Sequence, residues 1–118
     1  MAVNSYRDLK VWERAMDLVV ECYGITKRLP KSETYGIQRA AVSIPANIAE
    51  GHGREHLGDY LHHLSVANGS LMELETHLLL TQRLSYASAH EVAPALELSA
   101  AIGRMLAALT RSLKNRKP

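Results

Sequence analysis

Thirteen residues, Arg39-Ala-Ala-Val-Ser-Ile-Pro-Ala-Asn-Ile-Ala-Glu-Gly51, constrain this chain more than any other stretch. Ile37, Ala41, Ile44 and Ile48 recur at helical spacing and draw an apolar stripe. Arg39, Ser43, Asn47 and Glu50 recur at four, four and three, and draw a polar row on the same helix. Pro45 lies inside. It lacks a backbone donor and crowds the carbonyl four residues earlier, so a kink is expected there. Ser43 and Asn47 flank it and are placed to hydrogen-bond groups that the proline frees. Gly51 is expected to end the helix at the C′ position. Small residues, an internal proline and a one-sided polar row describe a helix that packs closely between longer neighbours. The row has two readings, a line of ligand-binding groups or a partly buried structural network with Ser70, Glu73 and His77 of a later helix. The structural reading is favoured, because buried charges persist when paired and hydrogen-bonded. Glu73 and Glu75 cannot share a face, so one of them is expected to be exposed.

The remaining sequence is also helical. There is no Phe and one Trp, and the apolar residues are dominated by Leu and Ala. These favour helix, whereas runs of Val, Ile and Thr typical of strands are missing. A first helix is expected over about 8–28. It carries two adjacent apolar stripes, Leu9, Trp12, Met16, Val19, Tyr23 and Val11, Ala15, Leu18, Cys22, Ile25, Leu29. That arc is wider than one core face needs. Pro30 makes Leu29 a poor helix continuation. A second helix follows over about 35–50. A third, over about 55–84, repeats Leu57, Leu61, Leu64, Ala67, Leu71, Leu74 and Leu78; its internal Gly58 and Gly69 are expected to admit a close neighbour. A fourth, over about 89–113, opens with the capping-box spacing Ser88-Ala-His-Glu91. Pro94 lies deep enough in that pattern to call for a distorted first turn or a later start. Short turns between helices give antiparallel neighbours. The expected fold is all-α, an antiparallel up-and-down four-helix bundle, as a single domain over 1–118.

These residues carry a resemblance. Ala40-Ala-Val-Ser-Ile-Pro-Ala-Asn-Ile-Ala-Glu-Gly51 is similar to the signature of the four-helix-bundle family encoded in intervening sequences of bacterial large-subunit ribosomal RNA genes. Tyr6-Arg-Asp-Leu-Lys-Val-Trp12 resembles the family's opening, and Gly69-Ser-Leu-Met-Glu-Leu-Glu-Thr76 its third helix. Ile102-Gly-Arg-Met-Leu106, with Leu109 and Ser112-Leu113, resembles its last. One departure is the run between Gly36 and Arg39, shorter here by about one helical turn. The resemblance extends to an accessory protein of diversity-generating retroelements, and relatives form five-membered rings with a basic surface. It therefore implies a homo-oligomer, a pentamer, and a link to RNA. Two apolar stripes on helix 1, and Leu79 and Leu80 on helix 3, agree with association, since a monomer would leave a large patch exposed.

Charge bounds the function. The net formal charge of +2 does not by itself imply nucleic acid. From Arg104 onward, however, Arg104, Arg111, Lys114, Arg116 and Lys117 occur with no acid among them. Basic residues complement the C-terminal dipole of a helix, and they are also phosphate contacts. Arg7, Lys10 and Arg14 of helix 1 are candidates to extend that patch. No catalytic motif is found. No sharp strand-to-helix turn presents a nucleophile, and Gly51-His-Gly53 is too short for a phosphate loop. The di-iron bundle pattern needs Glu-x-x-His, which the sequence lacks. No cofactor, no metal and no catalytic residue are expected. The single Cys22 excludes an internal disulfide and reads as a buried thiol. With no signal peptide recognised and no apolar run of membrane-spanning length, a cytoplasmic protein without a membrane partner is expected. The expected function is a non-catalytic homo-oligomer that binds structured nucleic acid, RNA ahead of DNA, through charge. The alternative is a protein–protein interaction scaffold with no nucleic-acid role.

Overall fold

The computed structural model describes residues 4–116. A short 3-10 turn, Tyr6–Asp8, precedes four helices: α1 (Lys10–Thr26), α2 (Lys31–His52), α3 (Leu57–Arg83) and α4 (Ala89–Lys114). Each helix packs on its two neighbours in the cycle α1–α2–α3–α4, and neither diagonal pair comes as close. The result is an antiparallel four-helix bundle of 52 × 20 × 20 Å, with no strand among the described residues.

The core is the sum of four stripes. Val11, Ala15, Leu18, Cys22 and Ile25 of α1 are buried, so the second of that helix's two stripes faces inward. Ile37, Ala41, Ile44 and Ile48 meet them from α2, Leu64, Leu71, Leu74 and Leu78 from α3, and Val92, Ile102 and Leu106 from α4. The first stripe of α1 is left half outside, with Met16 and Tyr23 each 42% exposed. Burial, and secondarily the neighbouring Glu21 carboxylate, pushes the Cys22 thiol up to about 12, so it is an inert apolar filler at ordinary pH.

Helix boundaries differ from expectation in ways that local chemistry explains. α1 starts at Lys10 because Ser5 accepts a hydrogen bond from the Arg7 amide and winds Tyr6–Asp8 into a separate turn. α2 starts at Lys31, four residues before the expected 35, with Pro30 at its N-cap and φ −56° already near the helical value. The helix continues through Pro45 to His52 and ends at Gly53. Gly51 is therefore not a C′ residue; it is buried inside α2. At the start of α4 the full capping box forms around Ser88 and Glu91, and Pro94 is accommodated without a later start. α3 closes in a Schellman pattern, with the Tyr86 amide donating to the Thr81 carbonyl and Ser85 to Gln82. Ser85 holds the left-handed φ of 63° that this motif requires.

Gly58 and Gly69 correct another expectation. A Cβ on either would find nothing within 4 Å, so neither admits a neighbouring helix in this bundle. Gly69→Ala should then raise stability by about 1 kcal/mol through helix propensity alone, read as a shift in urea midpoint. A loss would mean that another surface covers this position. Among the described residues α4 alone is long and apolar enough to cross a bilayer, over an 18-residue window of mean hydropathy 1.4, which departs from the expectation that no run reaches that length. In the bundle Val92, Ala95, Ile102, Leu106 and Leu113 of this helix face the core, while Ala100, Ala107 and Ala108 stay exposed.

The Ser88 cap gives a test of helix α4. Ser88 Oγ accepts from the Glu91 amide at 3.1 Å, and Glu91 Oε1 accepts from the Ser88 amide at 2.8 Å. Arg28 ties the same carboxylate to the α1–α2 turn at 2.7 Å. Ser88→Ala should cost about 1 kcal/mol. The Ser88 amide, then the Arg28 and Ser88 side chains, hold the Glu91 carboxyl below its ordinary value. That contribution is present above the unfolded carboxylate pKa and is lost as pH falls through the lower folded one. Glu91→Gln should flatten the acid limb of a stability–pH curve below pH 4.5, the ordinary value of this carboxyl.

Candidate nucleic-acid interface

The central signature of α2 is a packing device. Ser43 Oγ lies 2.7 Å from Ser70 Oγ of α3. Asn47 Nδ2 donates to the Ser43 carbonyl at 2.8 Å and to its hydroxyl at 3.1 Å. That leaves Asn47 Oδ1 to accept from His63 Nδ1 at 3.1 Å, which puts the imidazole proton on Nδ1. The carbonyl that loses its partner to Pro45 is that of Ala41, four residues back, so Asn47 secures a different carbonyl from the one expected. The outer half of the row also departs from expectation. Arg39 is exposed, with no hydrogen bond or ion pair among the described residues. Glu50 is exposed and pairs with Arg54 at 2.7 Å. Glu73 is exposed, with His77 Nε2 at 3.7 Å from its carboxylate. The inward carboxylate is Glu75, which accepts a 2.6 Å hydrogen bond from the fully buried Ser99 hydroxyl. Asn47→Leu removes the partner of a half-buried imidazole and should cost about 1–3 kcal/mol; an unchanged urea midpoint would reject this structural role.

The surface with open chemistry lies between α3 and α4. A groove of about 710 Å³ opens at the bundle end and a second, of about 650 Å³, runs along the α3–α4 seam. The seam groove has an apolar floor made by Leu61, Leu64 and Leu106. Its α4 rim carries Thr110, Arg111 and Lys114, and its α3 rim carries His62, Ser65 and Asn68. No acid lines it. Arg111 and Lys114 fall on this rim because α4 keeps Leu106 and Leu113 inward, and positions 107, 111 and 114 then follow the adjacent edge. Both side chains are exposed and form no ion pair among the described residues. Adjacent His62 and His63 lie edge to face, with ring centroids 5.8 Å apart, yet serve different places: His63 closes the α2–α3 network and His62 reaches the groove.

The other basic candidates divide. Arg104 is exposed seven residues before Arg111, on the same face but outside the groove lining. Arg116 lines the end cleft instead. Lys10 is exposed at the same end of the bundle as Arg116, since Leu9 borders that cleft. Arg7 stacks on Tyr6 at 5.2 Å, and Arg14 is engaged with Asp17 at 2.9 Å. Lys117 lies outside the described residues. Sequence reading missed the α3 half of the groove. The signal was available in Gly58, His62, Ser65 and Asn68, a polar strip at spacings of four, three and three.

The profile of the family described as 23S rRNA-intervening sequence protein matches residues 7–108. The chain belongs to that family. For this intervening-sequence family member, a crystal structure of a protein of unknown function from the S23 ribosomal protein family of Bacteroides thetaiotaomicron superposes with a TM-score of 0.81. The two are 23% identical, and the match covers 85% of this chain and 97% of the other. At that identity the likeness establishes the shared fold. Among curated proteins, none matches the chain.

Proposed function

We propose that this protein is a non-catalytic, homo-oligomeric bundle that binds structured nucleic acid, RNA ahead of DNA, through the α3–α4 groove. The observation that carries the reading is the groove itself: two exposed cations, three neutral polar groups and a histidine on its rims, with no acid among them. Arg and Lys neutralise phosphates, and Ser, Thr and Asn hydrogen-bond phosphate and sugar oxygens. No array of side chains is poised over a base edge here, so binding depends on backbone charge and shape more than on sequence. RNA comes first because the matched family is defined by intervening sequences of 23S rRNA. Recovery of crosslinked protein from cells, with sequencing of attached RNA, tests this. Enrichment over an Arg111→Gln, Lys114→Gln control is expected; equal recovery from both would end the reading.

Oligomerisation supports the same function, because one copy presents few cations while a symmetric ring repeats them along one rim. Met16, Val20 and Tyr23 of α1, Leu79 and Leu80 of α3, and its C-cap Leu84 are all more than 40% exposed. Apolar area of that extent fits burial between copies. By family resemblance the assembly is a pentamer. Light scattering on a size-exclusion column should return a multiple of 13.1 kDa; a monomer at micromolar concentration would remove the ring from the proposal. The same exposed apolar residues are what a protein-interaction scaffold without nucleic acid would use, and such a scaffold would bind no RNA at low salt.

A further inference from the structure

The second cleft, at the end of the bundle, has a different character from the seam groove. Its floor is apolar, from Leu9, Leu109 and Leu113. Three aromatic rings border it: Tyr60, His52 and His56. His52 and Tyr60 already meet edge to face at 5.8 Å between centroids. The Tyr60 hydroxyl has no hydrogen-bond partner among the described residues. Burial raises its pKa, with Arg116 opposing, so it stands as a neutral donor beside a cation. α3 begins at this wall, and its N-cap His56 supplies no side-chain cap; the Asp59 amide donates to the His56 carbonyl, so the Leu57 and Gly58 amides are the ones left open, on a turn that also carries the Asp59 carboxylate. The charge balance is modest. Arg54 is engaged by Glu50, and Glu55 also borders the cleft, so Arg116 is the one cation there without an ion pair among the described residues.

We infer that this cleft binds one unpaired nucleotide, with the base against the Tyr60 and histidine rings and its phosphate toward Arg116 and the start of α3. Modest charge argues against a bare anion site. Apolar floor, aromatic rim and a single available cation fit a flat ring that carries one phosphate, and the volume of about 710 Å³ is in the range of small-molecule sites. Base stacking on aromatic side chains is tolerant of sequence, so selectivity should be slight. The cleft adjoins the seam groove: Leu57 and Leu113 border the one, Gly58 and Lys114 the other. A strand held in the groove would thus bring an unpaired end to the cleft. In that respect the inference extends the groove reading, but it is tested without the groove.

The test is an NMR titration of the full-length protein that follows the ring resonances of its six histidines, assigned by substitution. Adenosine monophosphate should shift His52 and His56 and leave His90, at the other end of α4, in place. Arg116→Gln should weaken adenosine monophosphate about tenfold and leave adenosine unchanged. Arg111→Gln with Lys114→Gln should leave adenosine monophosphate unchanged while weakening an RNA hairpin. A hairpin with a three-nucleotide single-stranded overhang should shift the same two histidines and a blunt hairpin should not, which separates a strand end from a free mononucleotide. Shifts from inorganic phosphate equal to those from adenosine monophosphate would overturn the inference in favour of an anion site. Uniform shifts at all six histidines, or none, would also overturn it. Binding of adenosine monophosphate without any hairpin binding would uphold the cleft and remove the groove reading.

Discussion

Gly51→Val is expected to destabilise the bundle by about 3 kcal/mol. A Cβ at Gly51 would sit 2.8 Å from His63 Cβ, 3.1 Å from the Tyr60 ring and 3.3 Å from the Tyr60 carbonyl. Two of those atoms belong to or adjoin the α3 backbone, so rotamer changes cannot clear the space. α3 would have to move away from α2. That movement would stretch the Ser43–Ser70 contact of 2.7 Å and the Asn47–His63 bond of 3.1 Å, which lie on the same seam. Gly51→Ala should cost less, because helix propensity returns up to about 1 kcal/mol. Gly53 supplies the control: its Cβ would find nothing nearer than 3.6 Å, and Gly53→Ala should change stability by less than about 0.5 kcal/mol. Urea unfolding followed by circular dichroism orders the three variants. A Gly51→Val midpoint equal to wild type would show that α2 and α3 are not packed this closely.

Replacing Arg111 and Lys114 together by Gln should weaken RNA binding at low salt by one to two orders of magnitude, about 1–1.5 kcal/mol per phosphate contact in the range of charge-assisted bonds. Both residues are exposed on the last turns of α4, and Leu113, 2% exposed between them, keeps the helix seated. Helicity should persist, apart from a few tenths of a kcal/mol lost with the dipole complement. Arg14→Gln should have little effect on RNA, because its guanidinium is already held by Asp17 at 2.9 Å.

The bundle was legible because each helix writes its buried face at helical spacing; Val11 through Ile25 and Leu64 through Leu78 are read straight from the sequence. The capping box at Ser88 was legible for the same reason, as a local pattern. The polar row of α2 was legible only in half. At 100° per residue, Arg39 and Glu50 fall within about 20° of each other, whereas Ser43 and Asn47 rotate on by about 40° and 80°. The first pair lies at the outer edge of the seam and the second turns into α3. Spacing alone made them one row, and only the position of α3 divides them. Gly51 was misplaced because a glycine near a helix end usually marks a cap; here a close approach by α3 requires it, and that is a tertiary fact. The basic end of α4 was visible as a run of charge, but the α3 rim of the groove was not. His62, Ser65 and Asn68 are ordinary surface residues until α4 lies beside them.

Binding of RNA by the α3–α4 groove, as proposed, rests on phosphate charge, and the salt dependence of affinity tests it most directly. Filter binding of a structured RNA should give a plot of log affinity against log salt with a slope of about −2 for each copy engaged, if Arg111 and Lys114 neutralise one phosphate each. Arg111→Gln with Lys114→Gln should lower the affinity and remove most of that slope. No binding at low salt, or an affinity and slope that the double substitution leaves unchanged, would contradict the account.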